Sequence, residues 1–201
     1  MRTTPNYDDQ VGWVRVPAVL PPEDAAAIAA ACAEVADGLI DLRPGDKPHG
    51  ATRRLTALEE RVPEAAAVAR LLAPVVDQIL PAGWTVAEVG YRCPGPGTGG
   101  QQLHADDLPR LDPEAPPTGA TAIVALVPFN DRNGSTRVVP GSHHRVDQQR
   151  RSQRVAHLPG EKHLTGAAGT AFVFSRHLLH GGSPNRSTRP RPALQITYHA
   201  T

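Results

Sequence analysis

His104 and Asp106 stand two residues apart in Leu103-His-Ala-Asp-Asp107. On an extended backbone alternate side chains share a face, so this pair could meet one metal ion. A His-x-Asp pair alone is a weak signal, since ordinary polar strands and loops contain it too, and it needs a third ligand. Of the 9 histidines, His49 sits in an early Pro/Gly loop, His143, His144, His157 and His163 lie in or beside turns and a polar stretch, and His199 closes the last apolar run. His177 and His180 remain, in Ser175-Arg-His-Leu-Leu-His-Gly-Gly182. His180 is the better candidate, because it ends the preceding apolar strand and the glycines after it let other groups approach closely, whereas His177 reads as a histidine packed at a sheet rim. Two imidazoles and a carboxylate on one side of a metal leave the opposite positions open, which suits Fe(II) oxygenase chemistry; structural zinc usually takes four protein ligands. Iron of this kind needs an electron source. If that source is a small dicarboxylic oxoacid, a cation must hold its far carboxylate, and arginine does so with two parallel hydrogen bonds.

The elements that must position these residues follow from the pattern. Residues 11–17 alternate as a short strand, and Leu20-Pro-Pro-Glu-Asp24 opens a helix that runs to about Ala36 and stops at Gly38. Residues 43–50 read as a loop, while 51–60 fit strand, helix or flap; Arg53 and Arg54 there read as solvated charges, with contact to an anionic substrate as the alternative. A second helical stretch starts near Pro63, with Pro74 kinking or dividing it. From Trp84 onward the signals are for strands, at 85–92, 101–106, 120–127, 136–139, 169–174 and 191–199. They are joined by Gly/Pro loops at 93–100 and 108–119, an Asn133-Gly134 turn, and an arginine-rich surface loop or lid at 144–164. The glycines of 93–100 lack a Lys-Ser/Thr ending and do not run into a helix, so they do not form a phosphate-binding loop. Helices first and many short strands afterwards indicate an α+β, mainly β, fold: one domain with a helical part at 1–82 and a double-sheet barrel at 83–201.

Composition narrows the class. Lys+Arg 21 against Asp+Glu 20 gives a net charge of +1, so no global field would draw the chain to nucleic acid or to an anionic membrane. The 2 cysteines define no disulfide framework, the first ten residues carry no apolar signal core, and no run approaches the roughly 18 apolar residues of a membrane span. The expectation is a soluble cytoplasmic protein whose partner is a small-molecule substrate. Oligomeric state has no signature in the sequence.

Three segments taken in order are more specific than any one of them. His104-Ala-Asp106, the run from Asn133-Gly-Ser-Thr to Pro140-Gly-Ser-His143, and His180-Gly-Gly-Ser-Pro-Asn-Arg-Ser-Thr-Arg-Pro-Arg-Pro-Ala-Leu194 resemble the phytanoyl-CoA dioxygenase family of Fe(II)/2-oxoglutarate-dependent oxygenases. The opening Gly12-Trp-Val-Arg-Val-Pro17 is similar to that family's N-terminus, so the resemblance spans nearly the whole chain. It implies a double-stranded β-helix, a jelly-roll or cupin-like barrel with flanking N-terminal helices. It also implies iron on His104, Asp106 and His180, with 2-oxoglutarate and O2 as co-substrates. The far carboxylate of 2-oxoglutarate would rest on Arg191, for which Arg189 in the preceding turn is the competitor.

The sequence departs from the family where a hydroxyl residue often follows the distal histidine by two, since Gly182 stands there with Ser183 one place later. Ile123 stands near a frequent tryptophan. Gln102, expected to share the inward face of His104, and Thr121 or Ser183 are therefore the candidates for secondary contacts to 2-oxoglutarate. The implied activity is oxidation of a C–H bond of a small molecule, such as an amino-acid or specialised-metabolite intermediate, by hydroxylation, with desaturation, cyclisation and epoxidation as other outcomes. Asp106 argues against halogenation, in which halide takes the position a small residue leaves open, and Asp107 reads as a bystander on the opposite face. Two rivals remain: a cupin-type non-redox metalloenzyme such as an isomerase, with no use for Arg191, and a non-catalytic ligand-binding barrel.

Overall fold

The structure is a computed structural model that describes residues 4–38, 43–47, 49–112, 114–145 and 156–201. Its strands are β1 (Trp13–Val16), β2 (Thr52–Leu55), β3 (Thr85–Pro94), β4 (Gly119–Ala125), β5 (Thr136–Val138), β6 (Lys162–His163), β7 (Ala171–Ser175), β8 (His180–Gly182) and β9 (Ala193–His199). The helices α1 (Pro22–Gly38), α2 (Pro63–Leu71) and α3 (Ala73–Val76) all precede β3. Six strands form one antiparallel sheet in the order β1-β7-β4-β9-β3-β2, and three form a smaller one in the order β6-β5-β8. This is the double-stranded β-helix, with helices on one side only.

Period-2 alternation divides the large sheet into two working faces. Val89, Tyr91, Val173, Leu194, Ile196 and Tyr198 point outward and pack with Ile28, Cys32, Val68 and Leu72 of the helical layer. Ile123, Ala125, Phe172, Phe174 and Ala193 point inward and form a second core with Phe129, Val138, Leu164 and Leu178. Because both faces are covered, β4 and β7 are nearly continuous apolar runs. The Tyr198 hydroxyl donates to the Ala69 carbonyl at 3.0 Å, joining β9 to α2.

The helices follow their sequence signals. Glu23 and Asp24 occupy the first turn of α1, and Ala25, Ile28, Cys32 and Ala36 make its buried stripe. Leu72 separates α2 from α3, whose first turn holds Pro74, a residue that cannot donate a helical hydrogen bond. Residues 51–60 resolve into β2, which pairs with β3, and a 3-10 turn at Leu58–Glu60. Among the described residues no helix is long and apolar enough to cross a membrane.

Three sequence expectations are corrected. Residues 101–106 do not form a continuous strand; a single bridge joins His104 to His180. His180 does not end the apolar strand before it but opens β8, after a turn that leaves β7 and enters the small sheet. Of the expected lid at 144–164, residues 146–155 lie outside the described residues, while Lys162–His163 is β6 rather than loop.

Candidate metal centre

Backbone pairing brings the triad together. The His104 N–H donates to the His180 carbonyl at 2.9 Å and the His180 N–H to the His104 carbonyl at 2.8 Å. Two residues that exchange both bonds stand directly opposite and show their side chains on one face, and these ring centroids are 4.5 Å apart. Two residues on, the Asp106 N–H donates to the Arg176 carbonyl at 2.9 Å and keeps the chain alongside. Asp106 Oδ1 then lies 3.8 Å from His104 Nε2 and 3.7 Å from His180 Nε2. One ligand atom from each of the three falls within 4.8 Å of the others.

The donor set fits a divalent metal. Nδ1 of His104 is 3.0 Å from the Gln102 carbonyl, and Nδ1 of His180 is 3.0 Å from the Leu178 carbonyl. A carbonyl only accepts, so each Nδ1 carries a proton, which in the neutral ring leaves Nε2, the atom facing Asp106, as the metal-binding nitrogen. Burial outweighs the attraction of Asp106 and holds the His180 imidazole below its ordinary range, in the neutral form a metal requires.

The other Asp106 oxygen is engaged by the protein. Oδ2 accepts from Thr121 Oγ1 at 3.0 Å and lies 3.7 Å from Arg176 Nη1. Thr121, expected at 2-oxoglutarate, therefore spends its hydroxyl on the Asp106 carboxylate. Asp107 is not a bystander: its Oδ1 accepts from Arg176 Nε at 2.9 Å and its Oδ2 from Thr118 Oγ1 at 2.7 Å. Burial alone would raise the Asp107 carboxyl, but the Thr118 and Arg176 hydrogen bonds win and hold it below the usual range. His177 closes this network, with Nδ1 donating to the Leu108 carbonyl at 2.7 Å and Nε2 3.0 Å from Thr118 Oγ1.

Arg191 lies two residues before β9, and its N–H donates to the Pro94 carbonyl at 3.0 Å, extending the β3–β9 ladder. It is 2% exposed, with its guanidinium 4.5 Å from the Phe129 ring centroid, and its Nε is buried without a partner. Burial first, and then the like charge of Arg92, lower its pKa to about 10. A narrow cavity of about 40 Å³ is lined by His104, His180, Gln101, Ile123, Arg92 and Arg191 among others. Larger hollows of about 480 and 530 Å³ lie between α1 and α2 and beside Arg110 and His144; neither touches the triad.

Two further expectations are corrected here. Gln102 is exposed, and Gln101 lines the cavity instead, its Oε1 accepting the Gly182 N–H at 3.1 Å. The reason is a bulge: the Gln101 N–H pairs with the Gly182 carbonyl and His104 with His180, so one extra residue on the first strand resets the alternation. Ser183 leaves the cavity and faces His163, 3.5 Å from its Nδ1. Gly182 also has a steric cause, since a Cβ there would stand 2.4 Å from the Gly99 carbonyl, leaving no room for a hydroxyl residue.

Arg92 and Arg176 were missed by sequence reasoning. Arg92 had a signal: with Val89, Tyr91 and Cys93 buried on the outer side, the charged residue between the last two must point inward. Arg176 had none, because its role depends on Asp107, 69 residues away.

Comparison with known proteins gives the family and the fold. The family profile described as Phytanoyl-CoA dioxygenase (PhyH) matches residues 9–193. The Dioxygenase olcK of Penicillium canescens is 35% identical over 108 residues, which are 51% of this chain and 34% of that protein. The chain thus spans about a third of the length of such curated relatives. HygX from Streptomyces hygroscopicus, solved with nickel and 2-oxoglutarate bound, superposes with a TM-score of 0.73 at 20% identity, covering 96% of this chain and 84% of that one. SnoN, a non-heme alpha ketoglutarate dependent epimerase from nogalamycin biosynthesis, gives a TM-score of 0.75 at 19% identity, covering 95% and 79%. At these identities the two structures establish a shared fold.

Proposed function

The chain belongs to the phytanoyl-CoA dioxygenase family, and on that premise we propose that it is an Fe(II)/2-oxoglutarate-dependent dioxygenase that hydroxylates a C–H bond of a small molecule. One observation carries the reading: a single cavity is lined by His104 and His180 of the triad and by the buried Arg191, whose Nε has no partner among the described residues. A non-redox metal site would need the histidines and Asp106 but would leave a desolvated guanidinium without purpose, at a cost that an anionic co-substrate offsets.

His104, Asp106 and His180 would hold Fe(II), with Thr121 and Arg176 keeping Asp106 turned so that Oδ1 faces the imidazoles. The iron supplies the redox chemistry that couples 2-oxoglutarate decarboxylation, by O2, to oxidation of the substrate. Arg191 would hold the far carboxylate of 2-oxoglutarate, for which its planar fork of donors is suited, and Phe129 covers one face of the guanidinium. Ile123, standing where the family often has tryptophan, gives the cavity an apolar wall. Asp106 supplies a carboxylate where a halogenase would need an open position, which favours hydroxylation over halogenation. Because the 2-oxoglutarate-dependent epimerase SnoN shares the fold, the outcome depends on which substrate bond faces the metal.

An anaerobic titration tests the reading. Fe(II) followed by 2-oxoglutarate should produce a weak visible charge-transfer band in the wild-type protein, and Arg191→Gln should demand far more 2-oxoglutarate to reach it. Metal uptake without any response to 2-oxoglutarate would favour the non-redox metalloenzyme, and no metal uptake would favour a ligand-binding barrel.

A further inference from the structure

The cavity contains a second cation that the proposed co-substrate does not need. Arg92 lines it beside Arg191 and the two histidines and, among the described residues, makes no hydrogen bond or ion pair. On the neighbouring strand its register partner is Arg54, and like charges directly opposite each other weaken an antiparallel sheet. Arg54 has partial relief from Glu88 at 3.6 Å, but Arg92 has none. Burial first, and then Arg54, lower the Arg92 guanidinium below its ordinary range, so its surroundings are short of negative charge.

Charge accounting sharpens the point and rests on the function proposed above. A divalent metal with one carboxylate ligand and two neutral imidazoles leaves one positive charge, and Arg191 adds another; the 2-oxoglutarate dianion cancels both. Arg54 and Glu88 cancel each other. Among the described residues Arg92 then remains as one unmatched positive charge, half-buried where partial loss of water is costly. A smaller hollow of about 20 Å³, lined by Arg54, Glu88, Gly90 and Thr197, shares Gln195 with the cavity.

We propose that Arg92 is a specificity-determining residue that binds the carboxylate of the primary substrate, so that this oxygenase acts on a small carboxylic acid and holds it by its anionic end while a C–H bond faces His104 and His180. Carboxylate suits a single planar guanidinium, which offers two parallel hydrogen bonds.

The test uses protein loaded with Ni(II), which binds without turnover, and 2-oxoglutarate. Binding of butyrate, hexanoate, phenylacetate and N-acetyl-L-leucine is measured by calorimetry beside the primary amide of each. Wild-type protein should bind at least one acid about tenfold or more tighter than its amide, Arg92→Gln should erase that preference, and Arg92→Lys should restore part of it. In the same preparations Arg92→Gln should change the dissociation constant for 2-oxoglutarate by less than about threefold, whereas Arg191→Gln should raise it by about tenfold or more. Absence of any preference for acid over amide across the wild-type panel overturns the proposal. So does a loss of 2-oxoglutarate affinity in Arg92→Gln as large as that in Arg191→Gln, which would assign Arg92 to the co-substrate. In both cases the proposed function stands. Failure of wild-type Ni(II) protein to bind 2-oxoglutarate removes that function instead, and this inference with it.

Discussion

At the scale of single residues, Asp106 has its two oxygens divided between tasks, Oδ1 toward the imidazoles and Oδ2 toward Thr121. Asp106→Ala removes the anionic ligand and its anchor together, and is expected to abolish iron-dependent succinate release from 2-oxoglutarate; turnover at the wild-type rate would remove Asp106 from the ligand set. Asp107 acts one contact further out, by orienting Arg176 against that same carboxylate. Asp107→Asn keeps the shape but surrenders a charged acceptor, and is expected to weaken metal affinity by about tenfold, the lower end of what outlying partners of a metal ligand contribute. A competition titration with a metal chelator reads this directly, and a wild-type affinity would return Asp107 to a purely surface role. Residue types and order made the three candidate ligands legible, since few histidines lie next to strands. The Arg176 link was not legible, because nothing near position 107 or 176 announces a partner so far along the chain.

At the scale of elements, the site depends on β8 and the irregular strand beside it. The chain around Gly181 and Gly182 runs so close to residues 99–102 that side chains do not fit: a Cβ on Gly181 would stand 3.0 Å from the Gln102 carbonyl, and one on Gly182 would stand 2.4 Å from that of Gly99. Gly182→Ala would push backbone against backbone while its neighbours carry His180 and His104. It is expected to lower stability by about 1–3 kcal/mol, as overpacking does, and to weaken metal binding in the same variant. Urea unfolding and metal titration measure the two, and a variant with wild-type values in both would show that the 95–100 loop yields freely. The sequence marked this glycine pair as a place of close approach, yet the partner loop emerged only in the fold. Alternation holds across the large sheet because β4, β7 and β9 pair in regular ladders, with one register shift between Val86 and Glu88 where β3 meets β9. It failed at Gln102, where one extra residue against β8 turned Gln101 inward instead.

At the scale of the whole molecule, His143 ties the N-terminal segment to the turn after β5. It is fully buried, with Nε2 2.8 Å from the Asp9 carbonyl. Burial first, and then the like charge of His144, lower its pKa to about 4. The unfolded chain binds this proton near the ordinary histidine value of about 6.5, and the folded chain resists until about pH 4. Between those values the unfolded state holds more protons, so stability rises with pH and falls on acidification. The full effect is on the order of 3 kcal/mol. Denaturant midpoints at pH 7 and pH 4.5 should differ accordingly. His143→Gln should flatten the slope without removing it, since burial also lowers His177 and His180. Equal slopes in both proteins would assign the acid sensitivity elsewhere.

What the sequence by itself determined is local or periodic: the helices at their acidic and proline-marked starts, the strands by alternation, the family by three ordered motifs, and the candidate ligands by residue type beside those strands. The tertiary structure decided what depends on register and on pairing between distant segments. It selected Gln101 over Gln102, gave Thr121 to Asp106, sent Ser183 out to His163, and made Asp107 a working neighbour of the site. It also set Arg92 in the cavity without a counter-charge among the described residues. Side-chain direction within one regular strand is a property of the chain's own period. Which group a side chain meets is a property of two backbones, and a single shifted residue between them changes the answer.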